Sequence, residues 1–194
     1  MFLLKRCAVQ LPALLLFSLG VCLANAQKAP IEITADLTDA PRKLFHAEID
    51  IPVSAGAVTL ISPEWIPGHH MPSGPAGGIT GVVFTANGKP LEWRRDDVNL
   101  YEFHLTIPAG VTTLHAHLDS IVTRRVSQRL AALEWEALML YPAHVPVKDI
   151  PIQPSVKVPA GWDRDGAEAG QRWIVSGSSR GRSHEVCRHE CGAA

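Results

Sequence analysis

The chain has 194 residues, with 18 basic and 19 acidic side chains and a formal net charge of −1. A nucleic-acid surface would need lysine and arginine clustered on one face, and the sequence shows no such cluster. A chain of this length can bury one hydrophobic core without disulfide bonds, so a single domain is expected.

The first 26 residues have the three-part pattern of a secretory signal peptide. Two basic residues precede an uncharged run over residues 8–23, and the run ends in the small-x-small sequence Ala24-Asn25-Ala26. A membrane-spanning helix needs about 20 apolar residues, and Pro12 interrupts this shorter run. We therefore predict cleavage after Ala26 and an exported protein, periplasmic or secreted, without a stable membrane anchor.

Cleavage would change both the charge and the cysteine content. It removes two basic residues and no acidic one, so the net charge moves from −1 to −3. It also removes Cys7 and Cys22, which leaves Cys187 and Cys191 near the C-terminus. The sequence leaves open whether these two form a disulfide bond.

Apolar and polar side chains alternate from residue 29 to about residue 120. The alternation is clearest over residues 31–37, 45–53, 101–107 and 114–119. Successive side chains of a strand point to opposite faces, so each segment is predicted to be a half-buried strand of an antiparallel sheet. Asn87-Gly88 supports the positive φ angles of a tight hairpin. We predict an all-β fold over residues 27–162, either an antiparallel β-sandwich or a curved open sheet.

The same alternation predicts which side chains are buried, because a one-residue slip would exchange the two faces of every strand. The outward set is Glu48, Glu102 and Asp119. The buried set is Phe45, Ile49, Phe103, Leu105, Leu114 and Leu118.

Two later segments lose the alternation. Residues 129–141 contain helix-forming residues without a clean apolar face, so helix and strand both stay open, with a strand favoured from Leu133 onward. Residues 163–194 are rich in Gly, Ser and Arg and can bury little surface. We expect them to form an irregular tail that is disordered or loosely attached.

The tail contains a His-Glu pair that superficially resembles a zinc-peptidase motif. That motif, H-E-x-x-H, places two histidines four residues apart on successive turns of one helix face. Here His184 and His189 are five apart, which turns the second imidazole away by about another 100°. With Cys187 and Cys191 these histidines could bind zinc opportunistically, but an incidental tail is the favoured interpretation.

His115 and His117 are the candidate metal ligands of the predicted sheet. Two imidazoles on one strand face can grip a metal and leave an open position for hydrolytic chemistry. His46 and His104 lie on the polar faces of other predicted strands and could join them. No third ligand is evident from the sequence, so a solvated sheet face is favoured and no metal site is assigned.

A Pro/Gly-rich segment over residues 65–78 is too long for a hairpin and is a candidate functional loop. His69 has no neighbouring carboxylate, and Ser73 lacks the context of a nucleophile elbow. A rigid structural crossover is therefore an equally good interpretation. The candidate residues of the loop are Trp65, Pro67, Gly68, His69 and His70.

Five short motifs occur in the same order as in the N-terminal domain of the glycyl aminopeptidase family, and this part of the chain resembles that domain. They are LTDAPRKLFH at 37–46, PEWIPGHH at 63–70, WRRDDV at 93–98, LYPA at 140–143 and VPAGW at 158–162. The family consists of zinc metallopeptidases that often carry a PDZ domain. Its N-terminal domain is an all-β scaffold, and its zinc ligands lie further along the chain in a thermolysin-like domain.

The resemblance implies a non-catalytic scaffold or substrate-rim domain of an exported zinc aminopeptidase. The sequence has no H-E-x-x-H motif and no PDZ domain, so no catalytic, cofactor or metal residue is carried over, and zinc belongs to the full-length family. The expected partner is a peptidase catalytic domain or a peptide substrate. A truncated or frame-shifted gene would account for the missing part. A stand-alone periplasmic binding module and a small metal-dependent hydrolase using His115 and His117 are the alternatives.

Overall fold

A computed structural model describes residues 29–165 apart from Pro67, together with the strands at residues 172–177 and 187–188; beyond residue 162 it describes the backbone only. The predicted signal peptide and the side chains of the His/Cys-containing tail lie outside this part of the chain. Within it, no helix is long and apolar enough to span a membrane.

The described residues form strands and four single-turn 3₁₀ helices. The 3₁₀ helices are Ala40–Arg42, Ala76–Gly78, Trp135–Ala137 and Val147–Asp149. The strands are β1 Ile31–Asp36, β2 Leu44–Pro52, β3 Gly56–Ile61, β4 Ile79–Ala86, β5 Lys89–Pro90, β6 Trp93–Arg95, β7 Glu102–Ile107, β8 Thr113–Ile121, β9 Leu130–Glu134, β10 Tyr141–Pro142, β11 Ile152–Lys157, β12 Trp162–Asp165, β13 Arg172–Gly177 and β14 Cys187–Arg188.

The strands form three sheets, which confirms the all-β prediction. The seven-stranded sheet, called the larger sheet below, has the order β14-β11-β1-β2-β8-β4-β5. The second sheet has the order β10-β3-β7-β6, and the third has the order β12-β13-β9. The strand pairs are antiparallel except for β1 and β11, which run parallel. The alternation pattern did not predict this parallel pair, because it reports the faces of a strand and not its partner.

The larger and second sheets share one hydrophobic core. Phe84 on β4 lies 6.3 Å, centroid to centroid, from Phe103 on β7, and Trp93 lies 5.5 Å from Phe103. The six side chains predicted to be buried are all buried. Glu48 is exposed, and Glu102 and Asp119 are partly exposed on the opposite faces. The predicted register is therefore correct.

The Asn87-Gly88 turn also forms as predicted. Asn87 has φ of 50° and Gly88 has φ of 72°, and the turn joins β4 to β5. Because both φ angles are positive, the turn follows the right-handed twist of the flanking strands.

The prediction for residues 129–141 needs a correction. The strand β9 covers residues 130–134, and the chain then enters a 3₁₀ turn, so the strand ends near Leu133 and does not begin there. Three consecutive β9 residues, Ala131, Ala132 and Leu133, are buried. A strand buried on both faces shows no alternation, which is why its limits could not be read from the pattern.

The segment predicted to be an irregular tail contains paired strands. β13 pairs with both β12 and β9, and Trp173 is opposite Leu133. The apolar run at residues 173–175 thus adds a strand beyond residue 162.

Truncating Phe103 should test the shared core. We expect Phe103→Ala to lower the free energy of unfolding by about 3–5 kcal/mol, because the side chain is fully buried between the two sheets. Urea unfolding followed by circular dichroism measures this. Val98→Ala is the control: Val98 is 93% exposed, so its replacement should change stability by less than about 0.5 kcal/mol. A loss below about 1 kcal/mol for Phe103→Ala would contradict the packing.

The parallel pair should show a pH-dependent contribution from Asp36. Lys157 Nζ donates to Asp36 Oδ2 at 2.7 Å across β1 and β11. Burial opposes ionisation of this carboxyl, but hydrogen bonds from Lys157 and Thr38 outweigh it and lower its pKa. A lowered pKa stabilises the fold above the unfolded-state pKa of about 3.9, and this contribution disappears as the pH falls through the folded-state pKa.

We therefore expect Asp36→Asn to cost about 0.2–1 kcal/mol near pH 7, the range for a partly exposed ion pair, and to cost progressively less as the pH falls below 4. Unfolding of both proteins in urea across this pH range gives the difference. Glu32→Gln, on the exposed face of the same strand, is the matched control. A difference that is independent of pH would contradict the assigned ion pair.

Candidate functional site

Histidines and carboxylates face one another across β2 and β8, on the side of the larger sheet that is turned away from the core. The register places each histidine directly opposite an acidic residue: His46 and Asp119, Glu48 and His117, and Asp50 and His115. Because alternate residues of each strand are buried in the core, these six side chains share the other face. We call these six residues together with Asp39 the histidine–carboxylate ladder.

Contacts run through the ladder without a break. Directly opposite side chains approach to between 2.6 and 2.8 Å. The diagonal pair His115 and Glu48 approaches to 3.0 Å, and His117 and Asp119, two residues apart on β8, approach to 3.3 Å. The contacts are Asp39 Oδ2 to His46 Nε2, His46 Nδ1 to Asp119 Oδ1, Asp119 Oδ1 to His117 Nε2, His117 Nδ1 to Glu48 Oε1, Glu48 Oε2 to His115 Nε2, and His115 Nδ1 to Asp50 Oδ1.

These carboxylates favour the protonated imidazole. The pKa of His115 is raised, mainly by its hydrogen bond with Asp50. Burial would lower the pKa of His46, but hydrogen bonds with Asp119 and Asp39 outweigh burial, and the net shift is upward. Asp119 and Asp39 therefore favour the protonated form of His46, and Asp50 favours that of His115.

His115 and His117, the candidate pair predicted from the sequence, contact different partners within the ladder. His46, His117 and Asp119 each offer one ligand atom, and these atoms lie within 4.8 Å of one another. His115 is outside this group, where it contacts Glu48 and Asp50. The sequence analysis did not identify Asp119 as a candidate third ligand. The spacing H-x-H-x-D over residues 115–119 was the available signal, because it places all three side chains on one strand face.

His104 does not join the ladder, because β7 belongs to the second sheet. Its Nε2 lies 2.9 Å from Asp96 Oδ2, and its Nδ1 lies 3.0 Å from Thr59 Oγ1. Asp96 also accepts hydrogen bonds from the backbone N–H groups of Asn99 and Val98, and these bonds together with His104 lower its pKa far below the usual range. This group has the geometry of a turn closure between β6 and β7.

The candidate Pro/Gly loop is closed by backbone hydrogen bonds. Trp65 and Pro72 form an isolated β-bridge, and the N–H groups of Ser73 and Gly74 both donate to the Glu64 carbonyl at 3.0 Å. His69 Nδ1 contacts the Ser73 hydroxyl. Gly68 and His70 are exposed, with φ of 85° at Gly68, and Pro67 lies outside the described residues.

Two large apolar side chains remain exposed on this closed loop. Trp65 is 62% exposed and Met71 is 64% exposed. The loop packs on the second sheet through Tyr101, whose hydroxyl donates to the Gly74 carbonyl at 3.4 Å. Closure therefore presents Trp65 and Met71 to solvent on an anchored loop.

Gly74 should be required for this closure. A Cβ added at Gly74 would lie 1.7 Å from the Pro63 carbonyl oxygen and 2.9 Å from the Tyr101 ring. We expect Gly74→Ala to cost about 1–3 kcal/mol, because the backbone must move to relieve the overlap. Thermal unfolding measures this. Gly77→Ala is the matched control, since an added Cβ there meets no atom within 4 Å. Equal stability of the two variants would contradict the loop geometry.

The profile of the Peptidase M61 N-terminal domain matches residues 32–167. Among solved structures, the crystal structure of an aminopeptidase N family protein from Idiomarina loihiensis is similar, with a TM-score of 0.59 and 16% sequence identity. The similarity covers 76% of this chain but 27% of that one, so at this identity it shows a shared fold over a minor part of the larger protein. No curated protein matches. On the profile match, this chain belongs to the family of Peptidase M61 N-terminal domains.

Proposed function

We propose that the chain serves as the non-catalytic N-terminal scaffold, or substrate rim, of an exported zinc aminopeptidase. The observation that carries the proposal is the family match over residues 32–167, which spans almost the whole described β-domain. Export is part of the proposal and rests on the pattern in residues 1–26.

The zinc site of a thermolysin-like peptidase depends on a helix motif that this sequence does not contain. Such a site uses three protein ligands, an open position for water and a nearby general base. Thermolysin-like peptidases take two of these ligands and the base from an H-E-x-x-H helix, and this sequence contains no such motif. The proposal therefore assigns the chemistry to a separate catalytic domain.

The anchored Pro/Gly loop is the proposed contact surface. Exposed large apolar side chains that are held by a closed backbone lose little entropy when another molecule covers them. Trp65 and Met71 meet this description. The occupant is a peptidase catalytic domain or the peptide that it cleaves.

The two alternatives differ in their support. A stand-alone periplasmic binding module would use the same loop, so only the partner distinguishes it. A small hydrolase built on His115 and His117 has less support, because His115 contacts Glu48 and Asp50 and is not within ligating distance of the group that contains His117.

An assay in two parts tests the proposal. The purified chain, in zinc-containing buffer, is incubated with glycine and alanine amide substrates, first alone and then with the catalytic part of an M61 peptidase prepared without its own N-terminal domain. We expect no turnover by the chain alone, and binding to the catalytic part with increased turnover when the two are combined.

Matched variants locate the contact surface. Trp65→Ala should weaken the association at least tenfold, because it removes an exposed aromatic anchor. Val147→Ala should leave it unchanged, since Val147 is similarly exposed but lies on a 3₁₀ turn outside the loop. Turnover by the chain alone that survives purification would overturn the proposal in favour of a hydrolase. Failure to associate would favour the stand-alone binding module.

A further inference from the structure

The ladder contains a set of ligand atoms with the chemistry of a transition-metal site. One ring nitrogen each of His46 and His117 and a carboxylate oxygen of Asp119 lie within 4.8 Å of one another across β2 and β8. Asp119 Oδ1 contacts both Nδ1 of His46 and Nε2 of His117. Two imidazoles and one carboxylate form a ligand set that divalent first-row transition metals accept, with positions left for water. All three side chains are between 24% and 33% exposed, so an ion can reach them from solvent.

The second ring nitrogen of each histidine contacts a further carboxylate, as in known metal sites. A histidine that binds a metal through one nitrogen usually donates its other N–H to a carboxylate or carbonyl, which fixes the tautomer and the ring orientation. His46 Nε2 lies 3.3 Å from Asp39 Oδ2, and His117 Nδ1 lies 2.8 Å from Glu48 Oε1. Both imidazoles therefore present their other nitrogen to Asp119, and a separate carboxylate contacts each ring on its far side.

The backbone beside Asp119 is shaped to accommodate its carboxylate. The pairing of β4 with β8 is shifted between Thr80 and Val83 by a β-bulge. Gly81 lies in this bulge with φ of 60°, and a Cβ there would be 2.4 Å from Asp119 Oδ2. A side chain at residue 81 would therefore displace the Asp119 carboxylate from its place between His46 and His117.

We propose that His46, His117 and Asp119 form a binding site for a divalent transition-metal ion of the Zn²⁺ class, supported by Asp39 and Glu48. The inference does not depend on the proposed peptidase-associated role, because it rests on a different face of the domain. The bound ion would join β2 to β8 through side chains, in addition to the backbone hydrogen bonds between these two strands.

The geometry needs a small adjustment to accept the ion. With Zn–N and Zn–O distances near 2.0–2.1 Å, neighbouring ligand atoms of a tetrahedral site lie about 3.3 Å apart. His117 Nε2 and Asp119 Oδ1 already have this separation of 3.3 Å. His46 Nδ1 lies 2.6 Å from Asp119 Oδ1 as a hydrogen bond, so the ion would replace the shared proton and widen this gap.

The test is a titration of the purified chain with Zn²⁺, followed by calorimetry and by thermal unfolding. All cysteines are alkylated beforehand, so that thiolates cannot bind the ion. We expect one bound Zn²⁺ and a rise in the unfolding temperature as its concentration passes the dissociation constant. Co²⁺ titration provides a second readout, because the visible absorption of bound Co²⁺ changes with its coordination number and its ligands.

Variants of the proposed ligands, of Asp39 and of the neighbouring His115 give the decisive comparison. His117→Gln and the isosteric Asp119→Asn should weaken Zn²⁺ binding at least tenfold and abolish the thermal shift. Asp39→Asn should weaken binding by about 10–100-fold, the usual effect of losing an outer carboxylate. His115→Gln is the matched control: it lies on the same face of β8, two residues from His117, and should leave the affinity within about threefold.

Three results would overturn the proposal. The first is the absence of Zn²⁺ binding by the parent chain. The second is binding that survives both His117→Gln and Asp119→Asn, which would place the ion elsewhere, at the group formed by Asp96, Glu102 and His104 or in the histidine-containing tail. The third is an equal loss in His115→Gln, which would indicate a diffuse ladder and no defined site. Circular dichroism without metal confirms that each variant is folded. If His117→Gln does not fold, Asp119→Asn still tests the site.

Discussion

The pairing of β2 with β8 is the constraint on which both the core and the ladder depend. It runs from Leu44 opposite Ile121 to Pro52 opposite Thr113 without a shift. Side chains alternate along a strand, so one register sends Phe45, Ile49 and Leu118 into the core and sends the histidines and carboxylates to the other face. A slip of one residue would bury the charged ladder and expose the apolar set, which makes the register energetically unique.

The ladder contributes less to folding than this ordered appearance suggests. Ion pairs between exposed or partly exposed groups are typically worth about 0–1 kcal/mol each, because water screens the charges and both side chains lose freedom. Burial of a large core side chain is worth several times more. The apolar face thus contributes most of the side-chain stabilisation between β2 and β8. The polar face contributes little to stability, so its side chains can vary with little cost to the fold.

Glycines supply the local exceptions that a regular sheet cannot provide. Gly81 lets the β4 bulge approach the carboxylate of Asp119, and Gly74 lets the Pro/Gly loop close against the Pro63 carbonyl. In each case a backbone passes where a Cβ would overlap another atom. Both exceptions occur beside a candidate functional feature: the group of His46, His117 and Asp119 on the larger sheet and the exposed Trp65 on the loop.

The sequence alone determined the fold class, the buried face of each regular strand and the Asn87-Gly88 turn, because all three depend on neighbouring residues along one chain. It also carried the family motifs, which the profile match over residues 32–167 confirms. It did not determine the limits of β9, which is buried on both faces, or the parallel partner of β1, which lies about 120 residues away. The pairing of His46 with His117 and Asp119, in place of His115, was likewise decided by the tertiary structure. Alternation shows which face a side chain occupies, but only strand pairing decides which side chain lies opposite it.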